Sequence, residues 1–274
     1  MRPEGLELVS KIAAAEIREG PAADAAATGL PLKMAGTTAV VSLIGPMVKD
    51  PGPIGRFFGL GSTADVEQAV RSAAADSTVE TILIRVDSPG GSVDGLAELG
   101  DAVVEAANTK PVIAQVDGMA ASAAYYAIAG ATEIRAGRMD LIGSIGTYMV
   151  AYDFSAMFKA DGVEAVVTTT GPLKAAGVMG TEITDAQRAE FQRIVDQFFG
   201  DFKAVVAMGR GLNGTQLKAV TTGAVWTTED AISLGLVDSM ATLRDTLGEL
   251  QAKQTAQSTR LTNRAKAMKM AAGS

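Results

Sequence analysis

The chain has 274 residues, 47% of them hydrophobic, with a formal net charge of −7 and neither cysteine nor histidine, a length that fits one large domain with extensions. The missing Cys and His exclude disulfides, thiolate nucleophiles, Ser–His–Asp triads and Cys/His zinc sites, so a hydrolase built on this chain must take its base from a lysine, a carboxylate or the α-amine. The acidic balance argues against a broad nucleic-acid-binding face. No apolar run reaches the roughly 18–20 residues that span a bilayer, and Glu4, Glu7, Lys11, Glu16 and Arg18 break up any signal-peptide pattern. The expectation is a soluble, cytoplasmic protein with no membrane anchor.

Residues 1–20 place Leu6, Ile12 and Ile17 among charges, the pattern of a short amphipathic helix, and 20–36 are rich in Ala, Gly and Pro, a linker composition. Residues 38–44 are β-branched enough for a buried strand, ended by Gly45-Pro46. The Pro/Gly-rich loop that follows has an apolar centre of Ile54, Phe57, Phe58 and Leu60, suited either to lining a substrate groove or to covering the core. Ser62 then caps a helix to about Ala75, with Asp65 in its first turn. Strands are expected at 79–86, 111–116, 133–136, 146–152 and 163–169, and helices at 95–107, 120–130 and 153–160. This order predicts parallel strands, right-handed crossovers and helices outside.

The longest helix starts at Thr184 and Gln187, which have capping-box spacing, and ends at Gly209 and Gly211. Phe191, Ile194, Val195, Phe198, Phe202 and Val205 form one apolar stripe along it, fit for core or for an oligomer contact. Residues 251–274 hold Lys253, Arg260, Arg264, Lys266 and Lys269 and no acid, so this end carries +5 and the rest −12. The division expected is therefore 1–36 as helix and linker, 37–245 as the main domain and 246–274 as a basic tail. That tail reads as disordered, or as a docking arm for an acidic partner.

Three segments carry candidate chemistry. Asp87-Ser88-Pro89-Gly90-Gly91 follows a strand, and its glycines free backbone N–H groups for a developing oxyanion, though an ordinary strand-to-helix turn would look the same. Ser122 lies among alanines in Asp117-Gly118-Met119-Ala120-Ala121-Ser122-Ala123-Ala124-Tyr125-Tyr126, at or near a helix start, either accessible or merely a cap in a packed seam. Neither a Gly-x-Ser-x-Gly elbow nor a Ser-x-x-Lys motif is present. Lys174 follows Gly171-Pro172-Leu173 at a strand end, where most lysines are simply solvated. To act as a base it must be neutral, and Leu173, Ala175, Ala176, Val178 and Met179 are apolar neighbours that could desolvate it.

Taken in order, these motifs resemble the signal peptide peptidase A family of Ser–Lys peptidases over roughly residues 38–240. The shared run comprises the strand and Asp87–Gly91, then Met119–Tyr126, then Gly143-Ser144-Ile145-Gly146, the lysine loop, the long helix and Gly235-Leu236-Val237-Asp238. The resemblance implies an α/β Clp-protease/crotonase-like fold, a repeated β-β-α superhelix with mainly parallel strands and outer helices. It implies that Ser122 attacks a peptide carbonyl, that Lys174 takes its proton, and that Ser144 orients the amine. It implies that the Gly91 and Ala123 N–H groups, with Gly90 beside them, form the oxyanion hole. It further implies a homo-oligomer, ring or dome.

No metal cluster or nucleotide loop stands out, so no cofactor is expected. Ala123 and Ala124 stand where the family often has glycines. The absent membrane anchor makes the chain look closer to the soluble phage and prophage members that process capsid or scaffold proteins. A peptide-degrading peptidase acting away from membranes is the alternative within the family. Outside it stand a crotonase-type acyl-CoA enzyme using Asp87 or Asp94, and an inactive assembly scaffold.

Overall fold

Apolar, β-branched runs at the middle of the chain pair side by side and set the architecture. The computed structural model describes residues 30–272, so the helix expected over 1–20 and the linker as far as residue 29 lie outside the described residues. In chain order the elements are β1 (Leu32–Ala35), β2 (Thr38–Ile44), β3 (Met47–Val48), α1 (Gly52–Phe57), β4 (Gly61–Ser62), α2 (Thr63–Ala75), β5 (Thr81–Ser88), α3 (Leu96–Ala107), β6 (Val112–Ala121), α4 (Ala123–Ile128), β7 (Glu133–Ala136) and β8 (Leu141–Gly143). They continue as α5 (Ser155–Ala160), α6 (Asp185–Arg210), α7 (Gly214–Val220), β9 (Val225–Thr227), α8 (Thr228–Ser233), β10 (Ser239–Met240) and α9 (Leu243–Ala272). The chain divides into two compact units, one up to Ile145 together with Val205 onward, the other Gly146–Ala204.

The first unit is built on a sheet of order β1-β2-β5-β6-β7-β10, with β8 pairing β6 and β9. From β2 to β10 every neighbour on that path is parallel; among the described residues the antiparallel pairs are β1–β2 and β8–β9. Ile82, Leu83, Ile84 and Val86 of β5 and Val112 and Val116 of β6 are buried, the near-continuous apolar pattern of strands covered on both faces. This is the mainly parallel α/β arrangement expected from the sequence. Ser62 caps α2 as read, its Oγ accepting from Asp65 N–H at 3.1 Å. β1 was expected as linker. It forms because Gly36, at φ +64, turns the chain back so that Leu32 and Ala35 pair with Val41 and Thr38.

The basic tail departs most from expectation, because 243–272 are a single helix. Its first turns have a reason to dock. Leu247 and Leu250 pack with Leu83 and Ile113, Thr246 Oγ1 donates to Gln115 Oε1 at 2.6 Å, and Arg135 donates to Glu249 at 2.7 Å. Gln254 donates to Thr38 Oγ1 (2.8 Å) and Gln257 to Glu80 (2.9 Å). The Ala, Lys, Gln, Arg and Met beyond are strong helix formers that carry the helix on.

In the second unit the capping box at Thr184 and Gln187 is present, with reciprocal bonds of 3.2 and 3.3 Å. Of the apolar positions on α6, Phe202 is buried and Phe198 exposed. Residues 146–152 and 163–169, read as strands from their Tyr, Val and Thr content, join no ladder among the described residues. Strand propensity is realised only against a partner strand. No helix among the described residues is long and apolar enough to cross a membrane.

Candidate active site

The sheet delivers the candidate residues on adjacent strand ends. β6 does not end at Val116 but runs on to Ala121, and α4 begins only at Ala123. Ser122 is therefore the single residue joining strand to helix, not part of a helix opened at Ala120. Its backbone sits at φ 52 and ψ −124, a sparsely populated region that costs about 1–3 kcal/mol and persists only when the surroundings enforce it. Two bonds enforce it: Ser122 N–H donates to Gly143 O at 2.8 Å, and Tyr126 N–H donates to Ser122 O at 3.0 Å. The side chain is half-buried between buried Ala121 and Ala123. Tyr125, fully buried, pins α4 by donating its hydroxyl to Leu236 O at 2.8 Å, and burial raises its pKa well above the usual phenol range.

The Pro-Gly-Gly turn packs onto this junction. Gly90 has φ +98, and a Cβ there would stand 2.7 Å from Ala121 O and from Ser122 Cβ and 2.8 Å from Ala123 N. Only glycine lets the two segments touch. The Gly90 N–H, however, donates to Ser88 Oγ at 3.1 Å, and Ser88 Oγ donates in turn to Gly45 O at 2.7 Å. Gly90 thus allows this close packing by its missing side chain, while its N–H is committed to Ser88. The N–H groups of Gly91 and Ala123 donate no hydrogen bond within the described residues.

Ser144 follows β8, whose Gly143 is in register with Ala121 of β6, so Ser144 comes next to Ser122 across that pair. Ser144 has φ 50 and donates its N–H to Ala224 O at 2.7 Å. Ser122 and Ser144 are the two non-glycine residues with positive φ among the described residues, and they are neighbours. Sequence reading noticed Gly143–Gly146 as a motif but missed that Gly143 O anchors the Ser122 backbone. A short strand of three residues carries little periodicity from which to read that pairing.

The first unit thus brings together Gly90, Gly91, Ser122, Ala123 and Ser144. Lys174 stands on the second unit, exposed, in a turn closed by its own N–H donating to Gly171 O at 3.1 Å. Leu173, Val178 and Met179 nearby in sequence are exposed as well. Asp94, one acid a crotonase-type reading would need, pairs with Lys49 at 3.5 Å. Among the described residues no group of three or more Asp and Glu side chains could hold a metal ion.

The family model for peptidase family S49 matches residues 105–257. Protease 4 of Salmonella typhi is 32% identical over 80% of this chain and 35% of its own length. Capsid assembly protease C of Escherichia phage lambda is 26% identical over 81% of this chain and 51% of its own. Among solved structures, a ClpP1 variant from Listeria monocytogenes superposes with a TM-score of 0.46 at 14% identity, over 76% of this chain and 94% of that one. The chain spans between about a third and three fifths of the length of the curated relatives it matches.

Proposed function

Because the chain belongs to peptidase family S49, we propose that it is a serine endopeptidase in which Ser122 is the nucleophile and Lys174 the base. The observation that carries this reading is the strained one-residue junction at Ser122, held against Gly90 and flanked by two uncommitted N–H groups. A strand–Ser–helix turn of this kind is how other hydrolases present a serine hydroxyl, here reached without a Gly-x-Ser-x-Gly sequence. Ser122 Oγ attacks the scissile carbonyl while its proton passes to the neutral Lys174 amine. The carbonyl oxygen becomes an oxyanion that the Gly91 and Ala123 N–H groups stabilise. The Lys174 ammonium then gives its proton to the leaving amine, and the regenerated amine activates the water that frees Ser122. Ser144 is the hydroxyl that orients the amine.

Exposed as it is, the Lys174 amine must be covered to stay neutral, and a bound substrate or a second copy of the chain would supply that cover. The apolar side chains exposed on the second unit support assembly into a ring or dome of identical chains. The kinship with a capsid assembly protease supports a capsid or scaffold protein as the natural substrate, with general peptide degradation as the other outcome.

A fluorophosphonate probe read by intact mass tests the reading. One label per chain is expected, lost in Ser122→Ala. Lys174→Met should lower peptide cleavage by about 10²–10⁴-fold, and Lys174→Arg should fail too, since a guanidinium stays charged. Lys174→Arg cleaving at the parent rate would remove Lys174 from the mechanism.

A further inference from the structure

Lys174 stands in a run of consecutive tight turns. Its N–H donates to Gly171 O at 3.1 Å, Ala176 N–H to Leu173 O at 3.2 Å, Val178 N–H to Ala175 O at 3.2 Å and Thr181 N–H to Val178 O at 3.1 Å. Thr169 Oγ1 closes the start of the run by donating to Gly171 O at 3.1 Å. All of these bonds join near neighbours in sequence, and such bonds shape a turn without fixing its place. Among the described residues one hydrogen bond ties 169–181 to a residue outside it: Gln187 Nε2 donates to Pro172 O at 3.2 Å.

The residue that makes this tie is informative. Gln187 is the third residue of α6, and its Oε1 accepts from Thr184 N–H at 3.2 Å. A glutamate closes a capping box equally well, and near a helix N-terminus its charge suits the dipole better. What a glutamate lacks is a donor. The Thr184 N–H needs the amide oxygen on its own side, which leaves the amide nitrogen for Pro172 O. Gln187 is 8% exposed, so water competes little for either bond. A carboxylate in its place would also set a negative charge against the turn that carries Lys174 and favour the ammonium over the amine. The amide therefore does two things that no acid does: it holds the turn, and it leaves the lysine without a charged partner.

We infer that Gln187 is a positioning residue of the proposed reaction, its side-chain amide holding the Pro172 carbonyl and thereby fixing the turn that presents the Lys174 amine. The inference rests on the reading of Lys174 as the base.

The test measures kcat and KM for peptide cleavage across pH and compares them on the alkaline plateau, where the lysine is neutral whatever its pKa. Gln187→Glu keeps the cap acceptor and loses the donor, Gln187→Met loses both, and Thr184→Ala weakens the cap and keeps the amide. Both Gln187 variants should lose about 10- to 100-fold in plateau kcat, the range expected when a reacting group is misplaced by about 1 Å. KM should stay within about twofold, because the amide acts on the base and not on substrate binding. Thr184→Ala should keep plateau kcat within about twofold and show its loss in the melting temperature instead. Circular dichroism confirms that each variant is folded. Parent-level plateau kcat in either folded Gln187 variant overturns the inference. So does a loss in Thr184→Ala equal to theirs, which would make the helix start the cause and not the amide. Lys174→Met is scored beside them. Cleavage by Lys174→Met at the parent rate would sink the reading of the base and the role of Gln187 with it, whereas a loss in Lys174→Met without one in the Gln187 variants would sink Gln187 alone.

Discussion

Ser122 stores backbone strain that no reaction is needed to explain. With φ at 52, its Cβ is held where L-residues seldom go, at about 1–3 kcal/mol. Ser122→Ala removes the hydroxyl and keeps the strain, whereas Ser122→Gly removes both. Both variants should be inactive, and Ser122→Gly should be the more stable by about 1 kcal/mol, net of the extra freedom glycine gains when unfolded. Chemical denaturation of the pair measures this, and equal midpoints would mean the junction is relaxed. Gly90 is the matching constraint across the site. Gly90→Ala forces a Cβ to within 2.7 Å of Ser122 Cβ; on the proposed mechanism this displaces the Ala123 N–H from the oxyanion position and should lower kcat/KM by about 100-fold or more. A Gly90→Ala chain with parent kcat/KM would separate the turn from the chemistry. The candidate residues of the first unit stand out in the sequence because they sit in short runs of unusual composition directly after an apolar strand. The conformation of Ser122 was not legible. Its alanine neighbours favour helix when read locally, and only the pairing of Ala120 and Ala121 with Ile142 and Gly143 overrides that preference.

At the scale of elements, α9 shows what composition hides. Residues 251–274, with five basic residues and no acid, read as solvated chain, yet they continue a helix whose inner turns are fastened by residues that lie far away in sequence. Arg135, nearly buried, donates to Glu249, and Lys253 pairs with the same carboxylate at 2.6 Å. The Arg135 guanidinium first, then Lys253, hold the Glu249 carboxyl down to about 2. A depressed carboxyl contributes stability above its unfolded pKa of about 4.3, and that contribution is lost as pH falls through about 2. Glu249 is 42% exposed, so solvent screening limits the contribution to about 1 kcal/mol. Glu249→Gln should lower the unfolding midpoint at pH 7 and match the parent near pH 2, and a pH-independent difference would show that the ion pair is not its cause. Among the described residues the last side-chain tie from this helix to the rest of its unit is Gln257 to Glu80, and Arg260, Arg264, Lys266 and Lys269 form no ion pair. Removing 258–274 should therefore leave peptide cleavage within about twofold and the melting temperature within a few degrees. A truncated chain that folds but no longer cleaves would place this outer helix in the site. The strands β2, β5 and β6 and the helices α2, α3 and α6 were readable, because each carries its period over several residues. The short strands β8, β9 and β10 were not, being too brief to show a period.

For the whole molecule, the question is what the second unit is for. Residues 146–152 and 163–169 have the composition of strands but pair with nothing among the described residues. Tyr148, Tyr152 and Val166 in these segments are 87%, 70% and 84% exposed. A monomer seldom leaves so much apolar surface bare within one short stretch, and unpaired strand-forming segments are templates for another chain. On the assembly proposed above, copies of this chain would cover one another's second units, burying the apolar side chains and supplying the missing backbone partners. Lys174 lies between these segments and α6, so the same contact would take its amine out of water. Assembly and activity should then fail together. Tyr148→Asp with Val166→Asp places two charges on this surface and leaves the core of the first unit untouched. The parent should sediment as a closed oligomer at micromolar concentration, and the double variant should sediment as a folded monomer. The variant should also lose fluorophosphonate labelling of Ser122, although Ser122 and the Gly90–Gly91 turn are unchanged. A variant that is monomeric yet labels at the parent rate would show that each chain completes its own site. A variant that stays oligomeric would show that the contact lies elsewhere on the chain.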